Sequence, residues 1–289
     1  MAKSIHILDS GPVYEEESRK LLAHLKKMGM QADIRRETDR AKSKEENNEK
    51  QKELFLRYDE NGLALTDGII QIRGDFSEMR SRLRYNNLTH ELLVKAAKLK
   101  DMDRGMGRCP VILDATAGMG QDSLLLAAAG FEVEMYEQNP VIAALLADCL
   151  KRAGQNPDLE DIVCRMHLHE RDSIEALRDL KQSPDVIYLD PMFPERQKSA
   201  LVKKKFQLLH LLEMPCRNEE SLLKAAIEAK PFKLVVKRPL KGPNLAGIQP
   251  GYSLTGKAIR YDCFVFPENE ACHVNSSGNH SAKVLPPSY

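Results

Sequence analysis

The stretch Val111-Ile-Leu-Asp-Ala-Thr-Ala-Gly-Met-Gly-Gln-Asp122 decides how the chain is read. Three apolar residues make a short buried strand, Asp114 ends it, and Gly118 and Gly120 allow a tight turn where a side chain would obstruct a ligand. Leu124–Ala129 then reads as an apolar helix packed back on that strand. A Gly-rich turn from a parallel strand into a helix is where α/β proteins hold nucleotides, because backbone N–H groups and the helix N-terminus face the crevice. The spacing differs from the dinucleotide fingerprint G-x-G-x-x-G.

Strands and helices alternate downstream. The pattern predicts strand Phe131–Tyr136, helix Pro140–Arg152, strand Ile162–Leu168, helix Ser173–Leu180 and strand Val186–Leu189. Helices Ala200–Glu213 and Ser221–Ala229, strand Lys233–Lys237 and a hairpin over Gly251–Phe266 complete it. Short apolar runs in this order imply a doubly wound, mostly parallel sheet. Upstream, Ser4–Leu8 reads as a strand and Glu15–Met28 as a helix carrying Leu21, Leu22, Leu25 and Met28 on one face. Arg35–Lys52 is dense in both charges and reads as solvated, and Leu54–Ile72 alternates around Asn61-Gly62 and Asp67-Gly68 turns as small antiparallel strands. Arg73–Lys100 is basic and becomes helical in its second half; its arginines fit either a solvated face or a phosphate-contacting edge. The expected division is a small N-terminal α/β domain over 1–75, the main domain over 76–267 and a disordered tail over 268–289.

Across 289 residues, 43 basic side chains meet 42 acidic ones, so no global field announces nucleic acid and any such contact must be local. Six cysteines without a C-x-x-C pair read as free thiols of a reducing cytosol. His167 and His169 share a strand face without a third ligand, so no metal is expected. Neither a secretory signal nor a run of about 18 apolar residues is evident, which predicts a cytoplasmic protein.

Chemistry gathers at predicted strand ends. Glu137 lies 23 residues past Asp114, placed to accept hydrogen bonds from both ribose hydroxyls of an adenosine, and Asp172 and Ser173 would reach the adenine edge. Asp190-Pro-Met-Phe-Pro194 ends the next strand across the switch point. The Asp190 carboxylate and the Pro191 carbonyl can accept both N–H bonds of an aromatic amine and aim its lone pair, while Phe193 stacks on the base. A basic run follows, with Arg196, Lys198, Lys203, Lys204 and Lys205; with Lys237 and Arg238 it is placed to bind the phosphates flanking a target nucleotide.

Asp-x-x-x-Gly-x-Gly resembles motif I of class I S-adenosylmethionine methyltransferases. The Asp190 turn resembles the Asp/Asn-Pro-Pro-Tyr/Phe motif of amino-methylating enzymes, with Met192 in place of the second proline. Together with Glu137-Gln-Asn-Pro140 and Gln197-Lys-Ser-Ala-Leu-Val-Lys-Lys204, these residues make Cys109–Phe266 similar to the ribosomal small-subunit methyltransferase J family. That resemblance implies a Rossmann-like, mostly parallel seven-stranded sheet, S-adenosylmethionine as cofactor, and methylation of a guanosine N2 amine in 16S ribosomal RNA, naked or in the assembled 30S subunit. It further implies a cofactor site lined by Asp114, Gly118, Gly120, Gln121, Asp122, Glu137, Gln138, Asp172, Ser173 and Asp190. Adenine-N6 methylation of DNA or RNA, and a silent module that only binds ribosomal RNA during assembly, remain as alternatives. A pure binder has no need of Asp114, Glu137 and Asp190 together.

Overall fold

Two sheets follow from two hydrophobic patterns, and one helix joins them. The computed structural model describes residues 4–36, 53–99, 107–191, 208, 212 and 219–266. In chain order its principal elements are β1 (Ile5–Leu8), α1 (Glu15–Lys27), β2 (Ala32–Arg35), β3 (Phe55–Asp59), β4 (Gly62–Thr66) and β5 (Gln71–Ile72). Then come α2 (Leu92–Ala97), β6 (Val111–Asp114), α3 (Gln121–Ala128), β7 (Glu132–Tyr136), α4 (Pro140–Ala153), β8 (Met166–His169) and α5 (Ser173–Arg178). The last are β9 (Val186–Leu189), α6 (Glu219–Glu228), β10 (Lys233–Pro239), β11 (Tyr252–Thr255) and β12 (Ile259–Val265).

The larger sheet has the order β11-β12-β10-β9-β6-β7-β8. Strands β10, β9, β6, β7 and β8 run parallel, and β12 pairs antiparallel with both β10 and β11. Alternation sorts its side chains between two cores. Ile112, Tyr188 and Val235 face a cluster that includes α2 and α3 residues, whereas Leu113, Ile187, Leu189 and Val236 face Leu177 of α5 and Leu222 and Leu223 of α6. In register, Asp114 lies opposite Met135 and Tyr188, so the C-terminal ends of β6, β7 and β9 share one edge.

The smaller sheet has the order β2-β1-β3-β4-β5, with β1 parallel to both its neighbours and β3, β4 and β5 antiparallel. Strand β2 goes unannounced in the sequence because Ala-Asp-Ile-Arg lies at an edge with no fully buried residue. Ile5, Ile7, Leu25, Leu56, Leu63 and Leu65 close this core against Val141, Ile142, Ala144 and Leu145 of α4. The other side of α4 gives Leu146, Cys149 and Ala153 to the main core. Polar bonds tie the same helix to the small sheet: the Leu63 N–H donates to Asp148 Oδ2 (3.0 Å), and Arg152 donates to Asp148 (2.8 Å) and to the Gly74 carbonyl (2.6 Å).

Two expectations change. Glu160–Val163 forms a helical turn and β8 begins only at Met166, because Val163 reaches the core from a turn as readily as from a strand. The helix expected in the second half of Arg73–Lys100 is divided into Tyr85–Leu88 and α2 where Glu91 is extended, and a further turn, Arg80–Leu83, precedes it. Of Ala200–Glu213 only Leu208 and Leu212 are described; both are helical and buried against the small sheet's core. The tail from 267 lies outside the described residues. No helix among the described residues is long and apolar enough to cross a membrane.

Candidate active site

The turn after β6 is built from two left-handed glycines, Gly118 at φ 53° and Gly120 at φ 75°. Their surroundings differ. A Cβ on Gly120 would lie 2.6 Å from Leu146 Cδ1 and 3.2 Å from Phe76 Cζ, so close packing of α4 demands glycine there. At Gly118 an added Cβ would approach only the Thr116 carbonyl, at 3.9 Å, and the space above the turn is open.

Asp114 braces this turn from inside. The residue is 1% exposed; one carboxylate oxygen accepts from Ser123 Oγ (2.5 Å) and the other from the Thr116 N–H (3.0 Å). Burial pushes its pKa up to about 7. Asp114, one of the ten residues expected at the cofactor, thus has both carboxylate oxygens bonded within the turn.

Glu137, just past β7, reaches back across the crevice. Oε2 accepts the Gly118 N–H (3.1 Å) and Oε1 the Asn139 N–H (2.7 Å), linking the Gly-rich turn to the N-terminus of α4. Burial raises its pKa, and the backbone donors act in the opposite direction. Asn139 caps α4, its Oδ1 accepting from Val141 N (3.0 Å) and Ile142 N (3.4 Å). Gln121 and Gln138 are exposed at this edge. Asp172 caps α5 by accepting from Ile174 N (2.7 Å) and Glu175 N (3.2 Å), with Ser173 opening that helix beyond the end of β8.

The Asp190 turn is joined to the Gly-rich turn directly. The Asp190 N–H donates to Thr116 Oγ1 (2.7 Å), and Pro191 is buried beside it. Lys237, from the end of β10, places Nζ 2.8 Å from Asp190 Oδ2 and 2.7 Å from Asp122 Oδ2, while the Tyr188 hydroxyl donates to the same Asp122 oxygen (2.6 Å). Burial pulls the Lys237 ammonium pKa down, but the two carboxylates outweigh it and hold that pKa well above the ordinary lysine value. One cation thus locks two acids, Asp122 from the first turn of α3 and Asp190 from the end of β9. Burial also drives the Tyr188 hydroxyl well above its usual range, so it stays a donor.

Two residues expected on an RNA-facing patch sit elsewhere. Lys237 is turned into the crevice. Arg238 points to the opposite side of the sheet, 1% exposed, with Nε donating to the Pro243 carbonyl (2.8 Å) and a terminal nitrogen 3.9 Å from Glu219. Neighbours on a strand face opposite ways, and that alternation was the signal in the sequence that both could not line one surface. The roles of Tyr188, Thr116 and Ser123 carried no comparable signal. Phe193, Arg196, Lys198, Lys203, Lys204 and Lys205 lie outside the described residues. His167 and His169 pair with Glu132 (3.2 Å) and Glu134 (2.5 Å) across the strand edge.

The chain is also similar to known proteins over most of its length. Residues 39–266 match the family described as "Putative SAM-dependent methyltransferase". A Ribosomal RNA small subunit methyltransferase J of Pseudomonas aeruginosa is 41% identical over 219 residues, 73% of this chain and 82% of that protein. The protein of that name from Thioalkalivibrio sulfidiphilus is 41% identical over 223 residues, 73% of this chain and 84% of its own length. Among solved structures, a SAM-dependent methyltransferase from Neisseria gonorrhoeae superposes with a TM-score of 0.64 at 28% identity, covering 91% of this chain and 96% of that one.

Proposed function

The chain belongs to the ribosomal RNA small subunit methyltransferase J family of SAM-dependent methyltransferases, and from that premise we propose that it methylates the exocyclic N2 amine of a guanosine in small-subunit ribosomal RNA, in the cytoplasm. S-adenosylmethionine is the cofactor. The residues present fit it: the space over Gly118 is one that a Cβ would fill, and the Glu137 carboxylate stands at its edge with each oxygen keeping a lone pair for a ribose hydroxyl.

The observation that carries the reading is the 2.7 Å bond from the Asp190 N–H to Thr116 Oγ1, which fastens an amine-binding turn to a nucleoside-binding turn. S-adenosylmethionine bound there would supply the methyl on a sulfonium whose sulfur keeps the bonding pair, and the methylated nitrogen would give up one of its two protons. Asp190 and the Pro191 carbonyl accept the two amine N–H bonds and aim the nitrogen lone pair; Lys237 fixes the carboxylate rotamer through Oδ2. Pre-set acceptors of this kind need no reorganisation as charge shifts in the transition state. Asp122, Gln121, Gln138, Asp172 and Ser173 complete the cofactor rim, Phe193 stacks on the base, and Arg196, Lys198, Lys203, Lys204 and Lys205 track the flanking phosphates. Residues 1–75 serve as an accessory unit docked on α4, and residues 76–267 form the methyltransferase domain.

The test is transfer of labelled methyl from S-adenosylmethionine to undermodified small ribosomal subunits, naked ribosomal RNA and DNA, followed by mass mapping of the product nucleoside. N2-methylguanosine in the RNA is the expected product. N6-methyladenosine, or binding to subunits without transfer, would overturn the assignment.

A further inference from the structure

Arg80-Ser-Arg-Leu-Arg-Tyr-Asn-Asn-Leu-Thr-His90 contains three arginines and no acid. Its anchors are apolar: Leu88, with Phe76, Met79 and Leu93 on either side, is buried in the main core. Arg80–Leu83 packs against α3, the helix that opens at the Gly-rich turn, so the segment runs beside the crevice. Arg82 donates to both oxygens of Glu91 (2.6 and 2.8 Å) within electrostatic reach of Asp122 and Tyr261.

Backbone bonds fix the shape of this rim. The N–H groups of Asn87 and Leu88 both donate to the Arg84 carbonyl (2.8 Å each), Thr89 N donates to the Tyr85 carbonyl (3.1 Å), and Asn87 Nδ2 closes on the Ser81 carbonyl (2.6 Å). From it the Tyr85 ring projects at 80% exposure. Arg82 is neutralised by Glu91, and Arg80 stands 3.3 Å from Asp158. No described residue pairs with Arg84, which leaves it as the segment's spare cation.

A single exposed aromatic residue is ordinary on a protein surface. An exposed ring next in sequence to an unpaired guanidinium, on a backbone-bonded rim beside a nucleoside site, is not. A protein partner would call for a wider apolar patch, but Tyr85 is flanked by exposed Asn86, Asn87, Thr89 and His90. Unpaired RNA offers what this pair recognises, a π-face and a phosphate on adjoining groups. We propose that Tyr85 stacks on an unpaired base next to the target nucleotide while Arg84 binds the adjoining phosphate. This rests on the ribosomal RNA reading.

The experiment uses the full chain with Tyr85→Ala, Tyr85→Phe and Arg84→Ala, measuring binding to fluorescent single-stranded RNA and methyl transfer to small subunits. Tyr85→Ala should weaken RNA binding roughly tenfold and Tyr85→Phe, which keeps the ring, less than twofold. Arg84→Ala should reduce the slope of log affinity against log salt by about 0.7. In transfer, KM for subunits should rise while kcat holds, and calorimetric binding of S-adenosylhomocysteine should match wild type, which also reports folding. Wild-type RNA affinity and salt slope in Tyr85→Ala and Arg84→Ala overturn the rim even if subunits are methylated. If wild type never methylates subunits but Tyr85→Ala still loses RNA affinity, the substrate reading fails and the rim stands.

Discussion

The two sheets repeat one topological element with opposite chemistry. In the small sheet, β1 lies between parallel neighbours and runs through Gly11, at φ 89°, toward helix α1; in the large sheet, β6 lies between parallel neighbours and runs through Gly118 and Gly120 into α3. Both are switch points, where α/β proteins put ligands. The β1 crevice is a cleft of about 420 Å³ lined by residues such as Asp9, Glu15, Ser18 and Arg19. There Asp9 spends one oxygen on the Gly11 N–H (3.0 Å), and the first turn of α1 carries Glu15, Glu16 and Glu17. Those acids favour the helix dipole and repel an anionic or electron-rich ligand. At β6 strand-end acids join the helix: Glu137 follows β7, Asp190 follows β9, and Lys237 of β10 lies between Asp190 and Asp122 in the first turn of α3. A switch point supplies a place; groups from at least three adjacent strands make it a site.

The strongest way to break that contrast is to exchange acids at the two ends. Asp190→Ala should lower single-turnover methyl transfer by about two to four orders of magnitude, while Asp9→Ala leaves it unchanged. Thermal melts should separate the roles, since a strand-end turn supports little packing. An Asp190→Ala protein that melts early but methylates normally when folded would make this residue a turn former. Glu137→Ala should weaken S-adenosylhomocysteine binding by about 1.5 to 3 kcal/mol in calorimetry, because it removes the ribose acceptor and frees the Gly118 and Asn139 N–H groups.

The glycines sharpen the comparison. Gly120→Ala must move Leu146 as well as strain a positive φ and should cost about 2 to 3 kcal/mol, whereas Gly11→Ala meets nothing within 4 Å and should cost only about 1 kcal/mol of backbone strain. Equal shifts in Tm for the two variants would mean that α4 does not press on the Gly-rich turn.

The remaining effect is a slope. The Asp114 pKa is raised from 3.8 to about 7, so its proton favours the fold. Its contribution is complete below pH 3.8 and is lost as pH rises toward 7, at no more than about 1.4 kcal/mol per pH unit. Asp114→Asn, which cannot titrate, should differ from wild type by this slope in urea unfolding between pH 4 and 7, and parallel stability profiles would remove the claim.

Much of the large sheet was legible because its strands are short apolar runs bounded by Gly, Asp and Pro, and both carboxylates fell at strand ends at readable separations. Lys237 was not, because in the linear sequence Lys-Arg-Pro looks like a basic cluster and only strand pairing reveals that its first residue faces two acids. Strand β2 escaped notice for lack of buried residues, and Ile162 and Val163 read as strand because both are β-formers that pack equally well from a helical turn. Local propensity yields when tertiary packing offers either conformation a place.

Helix α4 belongs to both cores, and this makes the molecule indivisible in a way its two sheets conceal. Opening α4 strips the small sheet of Val141, Ile142 and Leu145 and the main core of Leu146 and Cys149 in a single event. Its amides should therefore exchange with deuterium only through global unfolding, and calorimetry should record one transition rather than two. Glu137, three residues ahead of that helix and bonded to its capping residue, is thereby tied to both cores.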